Sequence, residues 1–234
     1  MENIKKLSIV IPVFNEEKTI EKLIERVIKV DLGKIDKEII IVDDGSVDGT
    51  SKILNEIIKK NKNLILLKHK KNLGKGWALR TGFRKVSGQV VVIQDGDMEY
   101  DPNDFKKMIT KMQEKGVRVV YGSRRIEPKN KQYSGLGFYA GGLFLTHMAN
   151  ILYGCQITDE PTCYKMIDKK LLDDLKIEAK RFEFCPEVTA KICKKGEKIY
   201  EVPILYNPRH SDQGKKIKLK DFFEAVWVLL KLRF

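Results

Sequence analysis

The sequence predicts an α/β protein with a mostly parallel central sheet flanked by helices. Short β-rich runs alternate with stretches of helical periodicity through the first half of the chain, as in repeated βαβ units. The run QVVVIQ at 89–94 is almost entirely apolar, which is typical of a central strand covered on both faces. The 234 residues, 42% of them hydrophobic, are enough to fill one substantial core.

The predicted elements of the first half follow one another with short connections. The strands are LSIVIPV (7–13), EIIIVDDG (38–45), NLILLK (63–68), QVVVIQ (89–94) and VRVVYG (117–122), and the helices span 19–29, 50–61, 76–86 and 102–115. Glu16 and Glu17 stand close to the positive end of the first helix. Asp101 and Pro102 provide a cap and a first-turn proline for the fourth helix.

The second half is less regular. Residues 135–153 are apolar but rich in glycine, which is compatible both with core and with a membrane-facing surface. Beyond them the patterns predict a strand at 158–167, a helix at 186–195 and a last strand at 198–206. Residues 219–234 form an amphipathic helix with an apolar stripe. We therefore expect one domain over 1–218 with a helical tail over 219–234.

Charge favours a polyanionic partner. The 45 Lys and Arg residues exceed the 32 Asp and Glu residues by 13. Nucleic acid, an anionic membrane surface and phosphorylated ligands are all compatible with this excess, and a solvated lysine-rich surface is the plainer alternative. The tail stripe, with Trp227 and Phe234, lies beside four lysines, as in a helix bound at an anionic bilayer surface. The same stripe is equally suited to packing on the sheet or on a partner subunit.

Other composition features predict a cytoplasmic protein. The four cysteines, at 155, 163, 185 and 193, match no zinc or redox spacing, so we expect reduced thiols. The first strand pattern begins within a few residues of the N-terminus, which leaves no room for a signal peptide. No apolar run approaches about eighteen residues, so we expect no membrane span and only peripheral membrane contact.

Polar clusters follow three of the predicted parallel strands: PVFNEE, DDGSVDGT and DGDMEYD. Because ligands bind at the carboxyl ends of such strands, we expect the clusters to converge. Asp95, Asp97 and Glu99 crowd three carboxylates together, and their mutual repulsion raises pKa values unless a cation neutralises them. Such oxygen ligands suit Mg²⁺ or Mn²⁺, which would in turn bind a diphosphate.

Several motifs together indicate a family. SIVIPVFNEE, IIIVDDGSVDGT, NLGKGWALRTG, QDGDMEYDP and YGSR are followed by TDEPTCYKM, EFCPEVTAKI and YNPRHSDQGKKI. In this order the chain resembles family 2 glycosyltransferases with the GT-A (Rossmann-like) fold, and most of all polyprenyl-phosphate sugar synthases of the dolichol-phosphate mannose synthase type. The resemblance covers nearly the whole chain. It implies an inverting, metal-dependent transfer of a hexose from a nucleotide-diphosphate sugar, of the UDP-glucose or GDP-mannose class, to dolichyl or undecaprenyl phosphate.

The resemblance also implies residue roles on the donor side. The nucleotide-sugar site would be formed by Pro12, Phe14, Asn15, Glu16, Asp43, Asp44, Gly74, Lys75, Asp95 and Lys215. Within this set, Asp43 and Asp44 match an acidic pair that contacts base and ribose. The metal ligands would be Asp95, Asp97 and Glu99, although similar enzymes often carry Gln at the third position.

Three residues would act on the reacting groups: Asp97, Arg124 and Arg209. Arg124 matches a residue near the acceptor phosphate, and Arg209, with Lys215 or Lys216, matches a basic loop that closes over the phosphates. No histidine or serine has an evident catalytic partner in the sequence. A lipid phosphate, with its second pKa near 6, is largely ionised at neutral pH and needs no base to attack.

Alternative functions share parts of this pattern. A family 2 transferase with a soluble or polysaccharide acceptor has the same donor site, and a nucleotidyltransferase also uses paired carboxylates. A basic nucleic-acid- or membrane-binding module without catalysis explains the net charge, but the acidic clusters would repel a phosphate backbone, so we expect no nucleic-acid partner. The sugar, the nucleotide, the polyprenol and the oligomeric state stay open.

Overall fold

The structure is a computed structural model that describes residues 4–61, 63–130, 135–209, 216 and 219–234. Within these ranges the strands are β1 (Lys6–Val13), β2 (Asp36–Asp43), β3 (Leu64–Lys68), β4 (Val90–Ile93), β5 (Val119–Ser123), β6 (Lys165–Asp168) and β7 (Tyr200–Pro203). The helices are α1 (Ile20–Lys29), α2 (Thr50–Lys60), α3 (Lys75–Phe83), α4 (Phe105–Met112), α5 (Leu136–Tyr153), α6 (Lys169–Asp174), α7 (Phe184–Lys194) and α8 (Leu219–Arg233). A 3-10 turn, Pro102–Asp104, precedes α4.

The described strands form one sheet in the order β3-β2-β1-β4-β6-β5-β7. All neighbouring strands are parallel except β6, which runs antiparallel to β4 and to β5. The residues of β4 are all buried, as the continuous apolar run predicted. The prediction of a mostly parallel sheet flanked by helices is therefore confirmed.

Two apolar clusters cover the two faces of the sheet. One joins β1 to α1, α2 and α4 through residues such as Leu23, Leu54 and Phe105. The other packs α3, α6 and α7 against the opposite face, with Leu79 and Val188 fully buried. The apolar side chains that recur at helical spacing thus face the core, and polar side chains occupy the loops at the strand ends.

The start of α4 has the cap and the first-turn proline that the sequence predicts. The Asp101 side chain accepts a hydrogen bond from the backbone N–H of Asn103, and Pro102 occupies the first position of the turn. The predicted strand at 158–167 is only partly present, because β6 begins at Lys165. Pro161 has no backbone N–H to donate, and the segment before β6 runs as an irregular connection whose side chains turn toward the groove described below.

The glycine-rich segment forms α5, and α8 packs against it and against α7. Their contact is a small apolar cluster of Leu145, Ala149, Ala190, Ala225 and Leu229. One side of the tail stripe is therefore buried on the domain, while other apolar side chains of α8 stay exposed. Among the residues described, no helix combines the length and the apolar character needed to cross a bilayer.

The cysteines depart from the expectation of four reduced thiols. Cys155, just after α5, is joined to Cys193 of α7 by a disulfide bond. Cys163 and Cys185 remain free thiols. Spacing along the chain did not reveal this pair, because 38 residues separate the two positions and only the packing of α7 brings them together.

Candidate functional site

A groove with a volume of about 1090 Å³ lies at the edge of the sheet where β1, β2 and β4 end. Its polar end is lined by Pro12, Phe14, Glu16, Asp44, Gly74, Lys75, Asp95, Asp97, Glu99, Arg124, Arg209 and Lys216. The structure therefore brings most of the candidate residues together around one space. Lys215 lies outside the described residues.

Asn15 and Asp43 brace the loop that follows β2. The backbone N–H of Val47 donates to the Asn15 side chain at 2.9 Å. The backbone N–H of Ser46 donates to Asp43 Oδ1 at 3.0 Å, and the Ser51 hydroxyl also donates to this carboxylate. These contacts give both residues a role in shaping the loop behind the groove.

Asp44 holds the loop that leads into α3. Its carboxylate accepts hydrogen bonds from the backbone N–H groups of Leu73, at 3.0 Å, and Gly74, at 2.7 Å. The Asn72 amide donates to it at 2.9 Å, and His69 Nδ1 lies 2.6 Å away. A buried carboxylate with this many partners fixes the loop against β2, and so positions Lys75 at the start of α3.

Gly74 is required where it stands. Its φ is +107°, which L side chains rarely adopt, and a Cβ atom would lie 2.4 Å from the carbonyl oxygen of Lys180. Only glycine lets the loop before α3 approach the segment before α7 this closely.

Lys75 and Asp95 form an ion pair inside the groove. Lys75 Nζ lies 2.5 Å from Asp95 Oδ1 and donates to Cys163 Sγ at 2.9 Å. Burial alone would lower the pKa of Lys75, but the Asp95 carboxylate together with the sulfur atoms of Cys163 and Cys185 holds that pKa well above its usual value. Burial would likewise raise the pKa of Asp95, and the Lys75 ammonium lowers it instead. Both groups are therefore charged at neutral pH.

Arg209 joins three carboxylates from two different loops. Its Nη2 lies 2.6 Å from Asp97 Oδ2, its Nη1 is 3.2 Å from Glu16 Oε2, and its Nε is 3.6 Å from Glu99 Oε1. Lys216 Nζ adds a second cation 2.7 Å from Glu16 Oε1. We call Glu16, Asp97 and Glu99 the carboxylate cluster.

Asp97 is the most perturbed member of the carboxylate cluster. Burial and repulsion by Asp95 and Glu99 raise its pKa to about 7, against the opposing influence of Arg209. The charged form of this side chain is disfavoured first by burial and then by the two neighbouring carboxylates. A further cation would favour the charged form.

The donor set fits a hard divalent cation. Among the described residues, no three His, Cys, Asp or Glu side chains are arranged as a formed metal site. Instead the carboxylates are neutralised by protein cations, Lys75 on Asp95 and Arg209 on the carboxylate cluster. Because these guanidinium and ammonium groups stand in for a cation, and all the acceptors are carboxylate oxygens, the residues present suit Mg²⁺ or Mn²⁺.

Arg124 is fixed by one carboxylate. Its Nε and Nη2 donate to the two oxygens of Asp159, both at 2.7 Å, and its backbone N–H donates to the same residue at 3.0 Å. Asp159 is fully buried. The guanidinium lies 5.1 Å from the centre of the Tyr206 ring, whose hydroxyl is 3.4 Å from Glu99 Oε2. Arg124 therefore lies between the carboxylate cluster and the part of the groove that runs between α5 and α8.

The far end of the groove is apolar and runs between α5 and α8. We call it the apolar arm; it is lined by Phe138, Leu145, Leu219, Phe222 and Ala225. Outside the groove the same two helices expose large apolar side chains, namely Leu136, Phe144, Ile151, Phe223 and Trp227, and the exposed Phe234 follows α8. A charged pocket and a largely apolar arm thus form one continuous space, whose lining also includes Arg181 and Asp221.

Three groove residues, Glu160, Cys163 and Cys185, were not found from the sequence. Most of them lie in the segment before β6, which the pattern had assigned to a strand, so their side chains were expected to alternate across a sheet. The largely polar sequence around Glu160 carried no signal that its carboxyl group would be buried.

Residues 8–176 match the family described as "Glycosyl transferase family 2". A UDP-N-acetylglucosamine–dolichyl-phosphate N-acetylglucosaminyltransferase of Methanococcus voltae is 31% identical, over 98% of this chain and 96% of the relative. A dolichyl-phosphate beta-glucosyltransferase of Trichomonas vaginalis is 27% identical, over 97% of this chain and 72% of the relative.

Among solved structures, the glucosyl-3-phosphoglycerate synthase of Mycobacterium tuberculosis in complex with UDP has a similar fold. The TM-score is 0.74 at 19% identity, and the match covers 98% of this chain and 80% of the other. Another structure of that synthase contains Mn²⁺ together with UDP. At this identity the likeness concerns the fold, and it agrees with the α/β architecture described above.

Proposed function

The chain belongs to glycosyl transferase family 2, and on that premise we propose that it transfers a hexose from a nucleotide-diphosphate sugar to a polyprenyl phosphate. Membership of this family makes the chain a glycosyltransferase, which is favoured over a nucleic-acid-binding module. One observation carries the acceptor assignment: the groove continues from the carboxylate cluster into the apolar arm. A lipid phosphate has the same two parts, a charged head and an apolar chain.

On the donor side, the basic residues at the polar end would bind the diphosphate. Arg209 and Lys216 already share the carboxylates of Glu16 and Asp97. When a diphosphate arrives, these cations have a more highly charged anion to contact, and they would stabilise the nucleoside diphosphate as it departs. Asp44 would keep the loop of Gly74 and Lys75 in place beside the nucleotide.

The metal requirement is a separate part of the proposal. Asp95, Asp97 and Glu99 would hold Mg²⁺ or Mn²⁺, and the Mn²⁺ bound with UDP in the mycobacterial synthase supports a divalent ion in this fold. When bound, the ion would supply positive charge for the diphosphate leaving group. The raised pKa of Asp97 supports this assignment, because burial and the neighbouring Asp95 and Glu99 carboxylates both disfavour its charged form, and a bound cation would offset both effects.

On the acceptor side, a phosphate monoester would attack the anomeric carbon directly. The second pKa of a phosphate monoester is about 6, so the group is largely a dianion at neutral pH and no side chain has to remove a proton. The residues of this chain then have to orient the two substrates and hold their charges apart until they react. Attack on the face opposite the leaving group would invert the anomeric configuration.

Membrane contact would follow from the acceptor. The exposed side chains of Phe144 on α5 and of Phe223 and Trp227 on α8 lie on the helices that form the apolar arm. Insertion of these rings into the headgroup region would place the end of the groove where a polyprenyl chain leaves the bilayer. In this proposal residues 1–218 are the transferase domain, and residues 219–234 are a helix that packs on this domain and contacts the membrane.

The direct test is a transfer assay with the purified protein. The donors are UDP-N-acetylglucosamine, UDP-glucose and GDP-mannose, the acceptor is a short polyprenyl phosphate in detergent with Mn²⁺, and mass spectrometry detects the glycolipid. The same polyprenol without phosphate is the matched control and should give no product. Transfer to a water-soluble acceptor, with no lipid product from any donor, would contradict the proposal and favour the soluble-acceptor alternative.

A further inference from the structure

A pair of consecutive arginines shares one carboxylate beside the groove. Arg124 donates hydrogen bonds to both oxygens of Asp159, whereas Arg125 Nε lies 3.8 Å from Asp159 Oδ1. The side chains of both arginines are largely buried, with 19% and 13% of their surface exposed. The neighbouring carboxylate of Glu201 accepts hydrogen bonds from Thr158 and from the backbone of Asp159. Two guanidinium groups therefore face one carboxylate, which leaves a buried excess of positive charge.

Arg125 is the less satisfied of the two. Its Nη1 is buried and has no hydrogen-bond partner among the residues that the structure describes, and its Nη2 donates to the carbonyl oxygen of Tyr139 at a long 3.4 Å. The guanidinium lies 4.8 Å from the centre of the Tyr139 ring, which orients it without using its N–H groups. An unpaired buried donor is costly, so its retention points to a partner that arrives from outside the chain.

A small cavity lies against this unpaired group. It has a volume of about 50 Å³ and is lined by Arg124, Arg125, Phe138, Tyr139, Gly142 and Tyr206; we call it the arginine cavity. Three of these residues, Arg124, Phe138 and Gly142, also line the groove, so the two spaces adjoin. At Gly142 a Cβ atom would lie 3.0 Å from Arg125 Nη2, which means that any larger residue would crowd the guanidinium.

We propose that Arg125 binds the phosphate of the acceptor in the arginine cavity, and that Asp159 fixes Arg124 as the second wall of that site. The inference rests on the proposed function, and it assigns to Arg125 a role that the motif alone gave to its neighbour. A phosphate dianion provides both the charge and the acceptor oxygens that the cluster lacks. The apolar chain behind the phosphate would enter the apolar arm past Phe138.

The test separates acceptor binding from donor binding. Arg125→Gln should raise the KM for a short polyprenyl phosphate by about ten- to a hundredfold, as expected for loss of a charge-assisted hydrogen bond. The affinity for the nucleotide sugar, measured by calorimetry, should stay within about twofold because the donor contacts lie elsewhere. Arg84→Gln makes the same chemical change at the exposed residue that follows α3 and should alter neither value.

Two further measurements keep the inference falsifiable. Gly142→Ala suits a helix and adds a Cβ whose nearest neighbour is Arg125 Nη2 at 3.0 Å, ahead of Pro161 Cγ at 3.3 Å, so it should weaken acceptor binding in the same way even if Arg125→Gln fails to fold. Binding of farnesyl phosphate and farnesol to the wild-type protein needs no transfer at all. Equal binding of the two, or an unchanged acceptor KM in both variants, would overturn the role of Arg125. Tighter binding of farnesyl phosphate without any transfer would support the phosphate site and contradict the proposed reaction.

Discussion

Arg209 Nη2 lies 2.6 Å from Asp97 Oδ2, although 112 positions separate the two residues in the chain. This ion pair joins the loop after β4 to the basic segment after β7, across the space assigned to the diphosphate. It places a cation beside a carboxyl group whose pKa is raised by burial and by the nearby Asp95 and Glu99 carboxylates. The pair is therefore expected to rearrange when donor and metal bind, and Asp97 is the residue through which that can be tested.

Replacing Asp97 by asparagine should remove most of the transfer activity. Asn keeps the size of the side chain but loses the charge, so the metal and Arg209 both lose a partner. We expect a fall of about a hundredfold or more in kcat. Calorimetry should also show that donor binding no longer depends on Mn²⁺. Asp174→Asn, at an exposed position on α6, is the control, and full metal-dependent activity in Asp97→Asn would contradict the assigned role.

Asp44→Asn should loosen the loop before α3 rather than remove a catalytic group. An amide replaces one of the two carboxylate oxygens that accept the backbone N–H groups of Leu73 and Gly74. At least one buried donor then lacks its partner, which should lower the free energy of unfolding by about 1–3 kcal/mol. Urea denaturation measures this loss. Asp36→Asn, at the exposed start of β2, should cost much less, and equal stability of the two variants would argue against the bracing role.

Glu160 predicts a specific dependence of stability on pH. Burial raises its pKa from 4.5 to about 7, with repulsion by Cys185 and Asp159 adding to the effect and Lys165 opposing it. Because the folded pKa exceeds the unfolded one, the unfolded state releases its proton first as pH rises. Stability is therefore lost between these two pKa values, and the full cost is present above about pH 7.

The matched variant is Glu160→Gln, which has nearly the same shape and no charge to lose. It should raise the free energy of unfolding by up to about 3 kcal/mol at about pH 8, and by less than about 1 kcal/mol at about pH 5. Urea denaturation at the two pH values measures the difference. A gain that is equal at both would mean that the charge of Glu160 is not what destabilises the wild-type protein.

The sequence predicts the sheet well because the physical causes of its strands are local. The run of β4 is apolar at every position because both of its faces are covered. Contacts across the groove have no local signature. Asp44 meets Gly74 across 30 positions, and Arg124 meets Asp159 across 35, through loops whose paths depend on the assembled fold. Motif resemblance pointed to these residues, but it did not distinguish a side chain that lines the groove from one that braces it.

Membrane binding should depend on the exposed rings of α8 and not on its buried side. Phe223 and Trp227 are 61% and 63% exposed, whereas Leu229 is fully buried against α5 and α7. The double variant Phe223→Ala, Trp227→Ala should therefore reduce binding to vesicles containing anionic lipid by about tenfold or more while leaving thermal stability unchanged. Leu229→Ala should do the opposite, lowering the free energy of unfolding by about 2–5 kcal/mol and keeping vesicle affinity. Vesicle sedimentation and thermal denaturation of the same samples measure both quantities. Unchanged sedimentation of the double variant would mean that α8 serves only to close the groove, and that any membrane contact is made through α5.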